Sequence, residues 1–125
     1  MENKRLENAI MDRELKEYFG DMAIALLTNH NLISQHDDLK NLVIEFGYLF
    51  LDSQNEPYAM FKIMLSKNTM QSQRTFYFGT QDGKLLLLNQ QFTEDIFRSV
   101  QEDMFMMHGI DIENENFNHY VMELY

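Results

Sequence analysis

The strongest constraint on how this chain folds is a set of strand patterns between residues 42 and 88, separated by turn chemistry. Leu42, Ile44, Phe46, Tyr48 and Phe50 recur at every second position, the period of a half-buried strand. A helix competes here, because Leu39, Leu42, Val43 and Phe46 also fit a 3.6-residue repeat. The β-branched and aromatic content and the interior Gly47 favour the strand. Asp52-Ser53-Gln54-Asn55-Glu56-Pro57 is turn chemistry, and residues 58–66 read as the returning strand, with Ala59, Phe61, Ile63 and Leu65 on one face. A polar loop spans 67–73, and a third strand is expected over 74–80. Asp82-Gly83 is a strong hairpin signal. The fourth strand, 85–88, is apolar at all four positions and should be buried on both faces. Two hairpins thus predict a four-stranded antiparallel sheet.

Helical patterns flank the sheet. Residues 4–28 place Met11, Leu15, Tyr18, Met22 and Leu26 at three- and four-residue spacing, with Phe19 widening the stripe. Gly20 costs about 1 kcal/mol relative to Ala inside a helix, so a bend is expected there. Residues 22–27 are apolar all round, which implies cover on more than one side, by a sheet or by a second subunit. Asn29, His30 and Asn31 end this helix. Ser34, three residues before Asp37, resembles a capping box opening a short helical turn through Leu39.

The second helix, 93–108, carries its start signals openly. Thr93 is an N-cap residue, Glu94 and Asp95 suit the positive first turn, and Phe92 and Phe97 are spaced as a hydrophobic staple. Ile96, Phe97, Val100, Met104 and Met107 form its expected buried face. His108 and Gly109 are suited to its end. A short last helix is expected from Phe117, Tyr120, Val121 and Leu124. The predicted fold is one α+β domain over residues 1–125: a four-stranded antiparallel sheet, an N-terminal helix, and a second helix packed on the same face.

Charge separates the chain into regions. The net charge is −10, yet residues 41–90 carry four bases and four acids, whereas 91–125 carry only Arg98 against eight acids. Lys62, Lys67, Arg74 and Lys84 are scattered and expected on a solvated sheet face, so nucleic acid is not an expected direct ligand. The absence of Cys excludes disulfides and thiolate metal sites and suits a reducing, cytoplasmic setting. The charged first residues do not form a signal peptide, and the longest purely apolar run, 22–27, is far short of the roughly 20 residues that cross a bilayer.

Chemical motifs are sparse. His30, His36, His108 and His119 show no close helical pairing, and a metal held by His36, Asp37 and Asp38 competes poorly with a solvated cap. Asp111, Glu113 and Glu115 open like a calcium loop, but Asn116 and Met122 stand where Gly and Glu are required. The Ser residues lack a nucleophile-elbow setting, and no Gly-rich loop precedes a helix. No catalytic residue, metal or cofactor is therefore expected.

The expected function is a non-catalytic protein–protein interaction protein. The runner-up is an acidic inhibitor or immunity-type protein covering a basic, nucleic-acid-handling partner; a small hydrolase or ligand-binding enzyme stands third. The candidate surface comprises Glu102, Asp103, Phe105, Met106, Asp111, Glu113 and Glu115. A homodimer through the N-terminal helix is also expected, from its apolar circumference.

Overall fold

In a computed structural model, residues 2–34, 41–51, 54–66, 73–81, 83–106, 117 and 120–122 are described. Helix α1 (Glu2–Asn29) precedes strands β1 (Leu42–Leu51), β2 (Pro57–Ser66), β3 (Gln73–Gln81) and β4 (Lys84–Leu87), and helix α2 (Glu94–Met106) follows. The strands form one antiparallel sheet in the order β1-β2-β3-β4. The α+β class and the four-stranded sheet agree with the sequence reading. Strand β1 is extended throughout, which resolves the helix–strand competition at 42–51.

The helices do not share a face. Strand β2 is buried continuously from Ala59 to Ile63, so successive side chains enter two separate cores. Ala59, Phe61, Ile63 and Leu65 meet Phe19, Ala23 and Leu27 of α1, whereas Met60 meets Phe97 and Met104 of α2. The sheet lies between the helices, one on each side. This corrects the expectation that both pack on the same face. An apolar run broken only by Lys62 belongs to a strand covered on both sides.

Of the stripe predicted for helix α1, Leu15, Phe19 and Leu26 pack against the core, but Tyr18 and Met22 do not. Phe19, Ala23 and Leu27 are buried, while Tyr18 is 56% and Met22 38% exposed. Residues 22–27 are therefore covered on one side, with Met22 and Ala25 facing outward. The helix continues unbroken through Gly20. It ends in a Schellman arrangement: Asn31 takes φ 57°, its N–H donates to Thr28 O, and Leu32 N–H donates to Leu27 O. The predicted turn through Leu39 falls in residues 35–40, outside the described residues.

On the α1 face, Phe46, Phe61 and Phe78 stack across three strands, with centroid separations of 4.8 and 5.1 Å. The alternation of β1 does not survive along its whole length, because a bulge shifts the register between Phe46 and Tyr48. Ile44 and Phe46 join the α1 core, but Tyr48 and Phe50 join the α2 core. One extra residue exchanges the two faces. That residue is Gly47, where a Cβ would lie 2.6 Å from Met60 Cε and 2.9 Å from Phe97 Cζ.

Strand β4 sends Leu85 and Leu87 to one core and Leu86 and Leu88 to the other, as its apolar run implied. Of the segment expected as a last helix, Phe117 and Tyr120 take 3₁₀ geometry, while residues 120–122 line this edge. Val121 bridges Leu88 antiparallel, Met122 N–H donates to Leu87 O, and Asn89 N–H donates to Tyr120 O. Backbone groups of Leu87 and Asn89 need partners, and residues 120–122 supply them. Phe117 then packs on Gly79, where a Cβ would lie 2.7 Å from the ring.

Candidate interaction site

Helix α2 is seated by its first turn. Thr93 O accepts the first helical hydrogen bond from Phe97 N, and Thr93 Oγ1 accepts from Ile96 N at 3.4 Å. Phe92 and Phe97 are both buried, with Tyr77 of β3 between them at centroid distances of 5.4 and 5.7 Å. The staple thus closes around a sheet side chain. Phe97 and Met104 are buried and Ile96 and Val100 half-buried, which agrees with the predicted inner face.

Glu94 connects this turn to the sheet. Its carboxylate accepts from Lys62 Nζ at 2.8 Å, from Tyr77 Oη at 2.7 Å and from Arg98 Nε at 3.3 Å. Lys62 Nζ also reaches Glu45 at 2.8 Å and lies 5.0 Å from the Phe97 ring centroid. Lys62 is buried, with 8% exposure. Sequence reasoning put it on a solvated face. The corrected placement follows from α2 covering that face, where a cation needs a carboxylate partner.

The node holds Lys62, Glu94 and Tyr77 each in one protonation state. Burial opposes the charge of Lys62, but Glu45 and Glu94 outweigh it and hold its pKa above the ordinary lysine value. Burial likewise opposes ionisation of Glu94; hydrogen bonds and charge from Lys62, with Tyr77 and Arg98, outweigh it and hold Glu94 below the usual carboxylate range. Burial, reinforced by the adjacent Glu94, raises Tyr77 well above an ordinary phenol. Near neutral pH the cluster is therefore a fixed ammonium–carboxylate–phenol clamp.

The outer side of α2 is polar. Asp95, Ser99, Glu102 and Asp103 are exposed, and Arg98 joins them while contacting Glu94. Glu102 and Asp103 of the predicted surface are thus brought together on one solvent-facing side. Phe105 and Met106 belong to the last turn of α2, but their side chains lie outside the described residues. Asp111, Glu113 and Glu115 also lie outside them, as do Met107, His108 and Gly109 of the predicted helix end. Of the candidate metal ligands, His30 is half-buried beside the α1 cap, and His36, Asp37, Asp38, His108 and His119 fall outside the description. Among the described residues no three His, Asp or Glu side chains form a metal-holding group.

Two surface hollows accompany the node. One, of about 370 Å³, opens beside Tyr77, Asn89, Thr93 and Glu94 and is bordered by Arg74, whose guanidinium donates to Leu32 O. The other, of about 570 Å³, runs between α1 and the edge strand β1. Among the described residues no helix is long and apolar enough to cross a membrane. No protein-family model, curated protein or solved structure matches the chain.

Proposed function

We propose that this protein is a non-catalytic interaction module that presents the outer face of α2 to a protein partner. The observation that carries this reading is the way α2 is held: Glu94, Lys62 and Tyr77 anchor the first turn while Asp95, Glu102 and Asp103 face solvent. A helix fixed on its sheet offers a preorganised surface, so little ordering cost falls on the binding step. The acidic outer face also favours the narrower reading of an inhibitor-type protein covering a basic, nucleic-acid-handling partner, since a negative field speeds encounter with a basic surface.

The test begins with affinity capture from the native host and continues with kinetics on the captured partner. Replacing Glu102 and Asp103 by Lys should lower the association rate at least tenfold at low salt, with wild-type binding weakening as salt rises. A partner that binds the reversed chain at the same rate, independent of salt, removes the acidic face from consideration.

A further inference from the structure

The two edges of the sheet are treated differently. The β4 edge is covered by residues 120–122 of the same chain. The β1 edge, ten residues long, has no strand beyond it among the described residues. Edge strands that avoid pairing are short, display Lys or Pro, or are bulged, and the β1 bulge at Gly47 leaves residues 42–46 regular. Strand β1 contains neither Lys nor Pro. Its one charged side chain, Glu45, is turned to Lys62, and beside it Val43 is 55% exposed.

We infer that the β1 edge is the docking site for a second copy of this chain, the two β1 strands pairing antiparallel into one continuous eight-stranded sheet. The choice of occupant follows from the groove alongside that edge. Ile44, Phe46 and Glu45, the last paired with Lys62 of its own chain, line it from β1, and Arg13, Lys16, Glu17 and Asp21 line it from α1. Among these four charged residues of α1 the bases precede the acids along the helix. Lys16 lies over Phe46 at 5.8 Å, and Ile44 Cδ1 lies 3.1 Å from the position of a Gly20 Cβ, so α1 runs opposite to β1 along this border. A twofold axis normal to the sheet puts both α1 helices on the same face in opposite directions. Arg13 and Lys16 of each copy then face Glu17 and Asp21 of the partner subunit. An isologous interface requires such self-complementarity. A uniformly basic or uniformly acidic strand would leave one half of the groove opposed by like charge.

This inference is separate from the α2 reading, because Glu102 and Asp103 lie on the helix covering the other face of the sheet. Sedimentation equilibrium on the full chain should report a mass near twice 15.0 kDa at micromolar concentration. Val43→Lys should weaken the dimer at least tenfold, as should Arg13→Glu and Asp21→Arg singly. The double variant Arg13→Glu/Asp21→Arg should restore dimerisation, since both copies then carry the exchanged pair. All three positions are exposed, and unchanged circular dichroism verifies that each variant folds. On the unaltered chain, amide exchange along β1 should slow as protein concentration rises. A monomer at every concentration overturns the inference. So does a dimer indifferent to Val43→Lys and to the charge exchange, including one abolished only by Tyr18→Glu or Met22→Glu on the outer side of α1.

Discussion

The two faces of the sheet solve the same packing problem by different means. Against α1 the contact is hydrocarbon and ring: Phe46, Phe61 and Phe78 stack in register, with Phe19, Ala23 and Leu27 above them. Against α2 the apolar layer is interrupted by Lys62 and Glu94, and two glycines let aromatic rings approach the backbone. The first face derives its strength from area removed from water. The second derives position from directional contacts, since a carboxylate with three donors fixes one seating of the helix.

That contrast predicts a ranking of effects. Phe61→Ala, at the centre of the stacked rings, should cost about 3–5 kcal/mol by chemical denaturation, enough to threaten a domain of ordinary stability. On the other face, Gly79→Ala should cost about 1–3 kcal/mol, because the added methyl meets the Phe117 ring at 2.7 Å. A Gly79→Ala variant as stable as the parent would show that Phe117 yields freely. Thr80→Val should cost about 1–3 kcal/mol, since Thr80 Oγ1 both accepts from Ala59 N and donates to Ala59 O inside the sheet. Thr93→Ala should cost about 1 kcal/mol through the lost cap.

The smallest effect is the most specific to the α2 face, and it depends on pH. Glu94 is held below its ordinary value when folded, so its contribution is complete above the unfolded pKa and drains away as pH falls through the folded one. Lys62 is raised, so its contribution is complete below the ordinary lysine value and is lost as pH rises through the folded pKa. Glu94→Gln should flatten the acid limb of the stability profile, and Lys62→Met the alkaline limb. Phe61→Ala should lower the whole profile without altering its shape. An acid limb unchanged by Glu94→Gln would mean that the clamp contributes no net stability.

The legible parts of the fold were those written in local chemistry. The turn at 52–57, the Asp82-Gly83 hairpin signal and the Thr93 cap each act within a few residues, and each marked its element. Helix orientation was less legible. Residues 22–27 are apolar on every side, so the three- and four-residue spacing favours Met22 on no physical ground that excludes Ala23, which is the inward position. The bulge at Gly47 was hidden for a related reason, because alternation continues in letter while the side chains change faces. Lys62 and Glu94 are 32 positions apart, and no local rule pairs them. A signal was nevertheless present: Lys62 alone interrupts the apolar side shared with Met60, which calls for a carboxylate above it. Of the candidate surface, the exposure of Glu102 and Asp103 followed from helical rotation, because their inner-face neighbours were already assigned.

The short bridge from Tyr120 to Met122 would also govern how far the proposed assembly can proceed. If the proposed β1 pairing forms, a sheet with one covered margin and, among the described residues, one open margin would join a single like neighbour and stop. With Val121 removed from Leu88, each copy would offer two open margins, and growth by strand addition would have no geometric end. Under that proposal three residues of ordinary backbone would separate a finite particle from a fibre, by occupying hydrogen-bonding groups rather than by contributing a large apolar area.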